Sequence, residues 1–260
     1  FAIPALCAGN ACAVKPAPSV ARVSETLFSL VPKGLPLIGA WLSHEDTLKA
    51  IEDTDAMAFT GSTHTGRLLA AHAGKHLKKT VLKLGGSNPF IILPDADLQR
   101  AAIDACYSRF RDAGQSCNAA KRIIVTQDIA EQFIPLFLAE CAKLQTGNPK
   151  DPNTTLAPLH RQDLRQTVHE QVQDAVAHGA QCLSGGYIPD GQSWFYPATV
   201  LDQVNPNCRV WHEEVFGPVA MILRADNPDH AVALANDTPF GLGACIYTAD
   251  TANAWKYAEK

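Results

Sequence analysis

Apolar positions along the chain alternate between two kinds of pattern. Short runs such as Ala11-Cys12-Ala13-Val14-Lys15 and Ala56-Met57-Ala58-Phe59-Thr60 read as buried strands. Between them, residues 20–30 and 44–53 place apolar side chains at helical spacing. Residues 61–79 open on Gly61-Ser62-Thr63 and continue helically, and a strand at 80–84 runs into the turn Gly85-Gly86. Beyond the turn the alternation resumes. Strands are expected at 90–93, 122–126, 181–183, 198–201, 219–223 and 243–247, with helices at 97–110, 129–143, 164–178 and 228–236. Strands alternating with helices predict an α/β fold with a mostly parallel sheet and crossover helices. The break near residue 85 divides it into two units, 1–84 and 85–260.

Composition narrows the function. Hydrophobic residues at 47% and charged residues at 18% suit a packed core and exclude disorder. The 22 basic and 26 acidic side chains leave a net charge of −4, which offers no electrostatic footprint for nucleic acid. No apolar run approaches the roughly 20 residues of a membrane span. The eight cysteines lack the short paired spacings of a zinc ribbon or a disulfide scaffold, so no metal is expected and a reducing cytoplasm is the expected setting. The first residues begin mid-pattern and the last stop within a helical period, so the chain reads as an internal piece of a longer one.

Two turns carry candidate chemistry. Thr60-Gly61-Ser62-Thr63-His64-Thr65-Gly66 follows a strand and opens a helix, where backbone N–H groups can hold a pyrophosphate. It is not a Walker loop, because Arg67-Leu68 stands where Lys and Ser or Thr belong. Taken alone, such a turn is more often a helix cap. The second is Phe110-Arg111-Asp112-Ala113-Gly114-Gln115-Ser116-Cys117. The other seven cysteines read as inert hydrophobes, but Cys117 follows a Gly-containing polar turn where a thiol can be exposed near backbone donors.

Five motifs together resemble the aldehyde dehydrogenase superfamily, in its order and at about its spacings: Val14-Lys15-Pro16-Ala17-Pro18, Phe59-Thr60-Gly61-Ser62-Thr63, Leu84-Gly85-Gly86-Ser87-Asn88-Pro89, Gly114-Gln115-Ser116-Cys117 and His212-Glu213-Glu214-Val215-Phe216-Gly217-Pro218. The resemblance covers essentially the whole chain, although that family's chains are longer. Segments carrying an oxyanion-donating Asn and an oligomerisation strand lie outside this sequence. It implies a Rossmann-like coenzyme-binding part over 1–84 and an α/β catalytic domain over 85–260. By the same resemblance Cys117 matches the nucleophile, with its own N–H as an oxyanion donor. Lys15 matches the adenosine-ribose contact, Gly61 and Ser62 the pyrophosphate turn, and Gly85 with Glu214 and Phe216 the nicotinamide side. The implied chemistry is attack of a thiolate on an aldehyde, hydride transfer to NAD or NADP, and release of the acid from a thioester. The implied parent is a homo-oligomer acting on a small molecule.

Departures from the family pattern refine this. Pro18 and Ser19 stand where NAD-preferring members carry an acidic ribose clamp, so NADP should be tolerated. Lys83 occupies the position of the deacylating Glu, and an ammonium protonated at neutral pH cannot activate water. Arg111, six residues before Cys117, is similar to the carboxylate-gripping Arg of succinate-semialdehyde dehydrogenases, a task that suits a planar guanidinium. The expected function is NAD(P)-dependent oxidation of a semialdehyde. Lys83 keeps two alternatives open: a catalytically impaired structural or ligand-binding member, and a CoA-acylating enzyme.

Overall fold

A computed structural model describes residues 1–191 and 193–260, which form two compact units, Phe1–Leu84 and Gly85–Lys260. In the first unit the chain runs through α1 (Ala2–Cys7), β1 (Cys12–Val14), α2 (Ala21–Ser29), β2 (Leu37–Gly39), α3 (His44–Glu52), β3 (Ala56–Thr60), α4 (Thr63–Lys75) and β4 (Lys79–Lys83). Strand β1 pairs with β2 and β3 with β4, both parallel. A parallel pair needs a crossover, which α2 and α4 supply. Side chains cap the two following helices: Ser43 Oγ accepts from the Asp46 N–H at 3.0 Å and Ser62 Oγ from the Thr65 N–H at 3.2 Å, satisfying otherwise orphaned donors.

One expectation fails here. Strands β1 and β3 form where the pattern placed them, but they are not buried: Ala13, Ala56, Ala58 and Thr60 are exposed and their neighbours half-exposed. Each strand has a single hydrogen-bonded partner. An apolar run specifies a strand, whereas burial on both faces requires layers on both sides of it. The short α1 and β2 were not expected from the pattern, being too brief to show a period.

The second unit contains β5 (Asn88–Ile92), α5 (Leu98–Phe110), β6 (Ala120–Thr126), α6 (Gln127–Cys141), α7 (Gln162–Ala177), β7 (Gln181–Ser184), β8 (Thr199–Asp202), α8 (Arg209–His212), β9 (Val219–Ala225), α9 (Pro228–Asn236), β10 (Cys245–Tyr247) and α10 (Thr251–Ala258). Its six-stranded sheet has the order β10-β5-β6-β9-β8-β7, parallel except for the antiparallel edge pair β7–β8. Strands β5, β6 and β8 are buried along their whole length, as expected of strands covered on both faces. Helices α5 and α6 pack together through Phe110, Phe133 and Phe137, whose neighbouring rings stack at centroid distances of 6.3 and 5.8 Å. The molecule's core lies almost wholly in this unit.

All eight cysteines are free. The reading of the seven others as buried hydrophobes needs correction at Cys7 and Cys182, which are exposed. Cys7 ends α1, and Cys182 lies on β7 at the sheet edge, where no further strand covers it. No helix of the described residues is long and apolar enough to cross a membrane.

Candidate active site

Cys117 sits in the turn between α5 and β6, and the backbone ahead of it is unusual. Asp112, Ala113 and Gly114 take φ of 53°, 53° and 72°, three consecutive left-handed residues. For a non-glycine residue this conformation costs about 1–2 kcal/mol, so the surroundings must impose it. They do so through Arg109, whose fully buried Nη2 donates to the carbonyl of Gly114 at 2.8 Å and to that of Gly217 at 2.5 Å. A Cβ on residue 114 would strike both the Gly217 carbonyl and the Arg109 guanidinium. The glycine is therefore required by close approach as well as by φ. Burial pushes the Arg109 guanidinium down to about 9, with the Glu214 charge opposing, so it stays a cation at neutral pH.

The thiol of Cys117 is half-buried, and its backbone N–H has no acceptor among the described residues. Its carbonyl is held by Lys121, four residues on. The Lys121 side chain is wholly buried, and its Nζ donates to the carbonyls of Gly86 (2.7 Å), Ser116 (3.0 Å) and Cys117 (3.0 Å) and to Glu214 Oε1 (2.9 Å). Burial lowers the affinity of this ammonium for its proton, while the Glu214 carboxylate raises it. The Phe216 ring lies 5.9 Å from Nζ and adds a cation–π contact. Next along β6, Arg122 donates to the Ser87 carbonyl at 2.8 Å and to the Leu234 and Ala235 carbonyls near the C-terminus of α9. Successive strand residues point to opposite faces, so adjacent cations of one strand fix the adjacent carbonyls of Gly86 and Ser87.

This wiring explains the glycine pair and the paired glutamates. A Cβ on Gly85 would strike the Glu214 carboxylate, and one on Gly86 would come within 2.8 Å of the Cys117 carbonyl oxygen. The two glycines let the Glu214 carboxylate and the Cys117 turn approach the same backbone. Glu214 Oε1 accepts from the Gly86 N–H at 3.2 Å and from Lys121, leaving Oε2 without a protein donor among the described residues. Glu213 is turned elsewhere, onto Arg209 at 3.0 Å and Gln171 at 2.9 Å.

The remaining expected residues are placed as follows. Arg111 is exposed, paired with Asp112 at 3.4 Å, and lines a cleft of about 180 Å³ with Tyr107, Ser108, Ser116, Asn118 and Ala119, the last three flanking Cys117 in sequence. Half-buried Lys15 directly follows β1, and exposed Pro18 and Ser19 begin the short helical turn after it. Gly61 and Ser62 form the turn from β3 into α4, with Ser62 as the cap. Lys83 ends β4, and its Nζ is buried with no hydrogen-bond partner among the described residues. Lys15, Pro18, Ser19, Gly61, Ser62 and Lys83 belong to the first unit. Gly85, Arg111, Cys117, Glu214 and Phe216 belong to the second, where Gly85, Cys117, Glu214 and Phe216 are gathered around Lys121.

Sequence reasoning missed Arg109, Lys121 and Arg122. The available signal was the basic pair Lys121-Arg122 opening the apolar run Ile123-Ile124-Val125, because charges at the start of a fully buried strand must find internal partners.

Comparison with known proteins places the chain in a family. Residues 2–260 match the aldehyde dehydrogenase family. The chain is 40% identical over 268 residues to the NAD(P)+ succinate semialdehyde dehydrogenase Sad of Escherichia coli, covering 100% of this chain and 57% of that protein. It is 42% identical over 256 residues to the NADP(+) succinate-semialdehyde dehydrogenase 1 of Mycobacterium tuberculosis, covering 96% and 56%. The structure superposes on succinic semialdehyde dehydrogenase from Streptococcus pyogenes, solved with NADP+, with a TM-score of 0.94 at 32% identity over 98% of this chain and 58% of that one. The chain thus spans a little over half the length of the relatives it matches. With the family match running over residues 2–260, the chain belongs to the aldehyde dehydrogenase family.

Proposed function

We propose that the chain supplies the nucleophile and much of the coenzyme-binding surface for NAD(P)-dependent oxidation of a semialdehyde, of which succinate semialdehyde is the favoured substrate. The observation that carries this is the Lys121 hub, which ties the Cys117 turn to a carboxylate with one oxygen still open. A free carboxylate oxygen suits a ribose hydroxyl, and the Gly85-Gly86 backbone beside it keeps the space that a Cβ would fill, so these residues fit a bound nicotinamide nucleotide. When bound, the nicotinamide accepts the hydride that the oxidation releases.

The chain's own residues supply the rest. The Cys117 sulfur adds to the aldehyde carbon, and the carbonyl oxygen takes up negative charge, for which the unpaired Cys117 N–H is a ready donor. Departure of the hydride restores the carbonyl as a thioester on Cys117, which water must cleave to free the acid and the thiol. Arg111, exposed beside the turn, offers a bidentate grip for a distal carboxylate. Lys15 serves the adenosine ribose and the Gly61-Ser62 turn the pyrophosphate, and Pro18 with Ser19 leaves room for a 2′-phosphate, so NADP is accepted alongside NAD.

Lys83 sets the finer reading. Lys83 stands where the usual carboxylate base for hydrolysis would be, and loss of that carboxylate removes a contribution commonly worth about 10²–10⁴-fold. The acylated enzyme should therefore accumulate. The test is to incubate the protein with succinate semialdehyde and NADP+ or NAD+, follow coenzyme reduction, and map adducts by mass spectrometry. Mapping is necessary because the thiols of Cys7 and Cys182 are also exposed. The expected result is a succinyl adduct on Cys117, absent from Cys117→Ala and reduced in Arg111→Ala for this aldehyde but not for an uncharged one. Transfer of the adduct to added coenzyme A would favour the CoA-acylating reading. No coenzyme reduction and no Cys117 adduct would reject the oxidation and leave a structural or ligand-binding role.

A further inference from the structure

Outside the nucleophile turn, one side-chain cluster carries chemistry that the proposed oxidation does not use. His72 lies in the last turn of α4 and His76 caps that helix, so the two imidazoles stand four residues apart on neighbouring turns. Glu52 is the last residue of α3. His72 Nε2 lies 3.1 Å and His76 Nε2 3.5 Å from the same Glu52 Oε1, and the three ligand atoms all fall within 4.8 Å of one another. Donors at about 2.0–2.1 Å around a tetrahedral zinc are separated from each other by about 3.3–3.4 Å. The two nitrogen–oxygen distances already approximate edges of that tetrahedron.

The rings face each other at 4.9 Å with a 41° tilt, which turns both nitrogens toward the carboxylate. The side chains are 21%, 30% and 41% exposed, so solvent can reach the cluster and supply a fourth ligand. We propose that Glu52, His72 and His76 form a binding site for a divalent cation of the zinc class that fastens the end of α3 to the end of α4. Two imidazoles and one carboxylate favour Zn²⁺, Co²⁺ or Cu²⁺ over Mg²⁺ and Ca²⁺, which take oxygen ligands. One competitor is internal: the Leu48 carbonyl lies 3.1 Å from His72 Nε2, and an ion must displace that hydrogen bond. Ala73 follows His72 where hydrolytic zinc helices place a glutamate, so the site binds an ion without a base beside it for peptide hydrolysis. Its effect is to brace the first unit, which buries little apolar surface.

Titration of the tag-free protein with Co²⁺ tests this, read by the visible absorption of tetrahedral cobalt and by the melting temperature with added Zn²⁺. The expected result is one tetrahedral site per chain, displaced by Zn²⁺ and indifferent to Mg²⁺, with a Zn²⁺-dependent rise in melting temperature. Glu52→Gln and His76→Gln keep polar side chains of similar reach. Each should weaken binding by at least the roughly 10–100-fold typical of losing even an outer-shell partner, and abolish the rise. Circular dichroism of the ion-free variants verifies that they fold, and His72→Gln gives a third reading if either fails. Absence of binding, unchanged binding in the variants, or a thiolate-to-cobalt charge-transfer band assigning the ion to cysteine would overturn the proposal. None of these outcomes bears on Cys117 chemistry.

Discussion

Lys121 offers three protons to four acceptors, three backbone carbonyls and one carboxylate oxygen. Removing one partner of a buried ion pair leaves the other charge uncompensated, which typically costs about 3–5 kcal/mol. Lys121→Met, close in length and uncharged, should therefore lower the unfolding free energy obtained from urea titration by an amount in that range. It should also speed alkylation of Cys117 relative to exposed Cys182, because the turn loses its tether. Equal alkylation rates in both proteins would show that Lys121 serves stability alone. The left-handed turn makes a second prediction. Gly114→Ala adds an atom against the Gly217 carbonyl and Arg109 at φ +72°, so it should destabilise by about 2–5 kcal/mol, overpacking and backbone strain together. Ala113→Gly relieves strain at φ 53° while losing one buried methyl, and should stay within about 1 kcal/mol of the parent. Urea unfolding of the two variants measures the contrast.

At the scale of elements, the edge strand β10 is held by carboxylates as well as by its pairing with β5. Asp95 accepts from the Thr248 hydroxyl at 2.7 Å and from the N–H groups of Ala249 and Asp250, and Asp104 accepts from the Tyr247 hydroxyl and from Arg100. These contacts hold both carboxyls below the ordinary carboxylate range, through Thr248 at Asp95 and through Arg100 and then Tyr247 at Asp104. A depressed folded pKa means the unfolded state takes up protons first. The stabilisation is therefore complete above the unfolded pKa near 3.8 and is lost as pH falls through the folded values. Between pH 5 and pH 3 the urea midpoint should drop, and Asp95→Asn with Asp104→Asn should shrink that drop. Both carboxylates are near the surface, where salt screens them, so the effect should also diminish in high salt.

Across the whole molecule, buried apolar residues are distributed unevenly. Ile51 and Ala73 are the buried hydrophobic residues of the first unit among those described, whereas the second holds the continuous core around β5, β6, β8 and β9. Opening free energy follows local burial, so amides of the first unit should exchange with deuterium well before those of the central sheet. Phe137→Ala should cost about 3–5 kcal/mol and shift the transition of the second unit. Exchange that is uniform across residues 1–260 would mean the chain unfolds as one cooperative body.

The alternation of short apolar runs with helical periods, read from the residues alone, determined an α/β fold. It located most strands and helices to within a few residues, including β3 and α9 at their observed ends. Local patterning suffices there because the periods of strand and helix are properties of consecutive residues. The motifs that carry the family resemblance, Gly85-Gly86, Gly114 through Cys117 and Glu213-Glu214, were legible because each is contiguous in the sequence. What only the tertiary structure decided is long-range. Whether β1 and β3 are covered depends on layers that no local pattern encodes, and the partners that part the adjacent carboxylates, Arg209 and Gln171 for Glu213 and Lys121 for Glu214, are known only from the fold. The basic pair Lys121-Arg122 at the head of an apolar run signals buried charge, but the acceptors that satisfy Lys121 and Arg122 come largely from distant segments and could not be read from local pattern. Lys121 and Gly86 lie 35 residues apart and Lys121 and Glu214 lie 93 apart, and only folding brings them within hydrogen-bond reach.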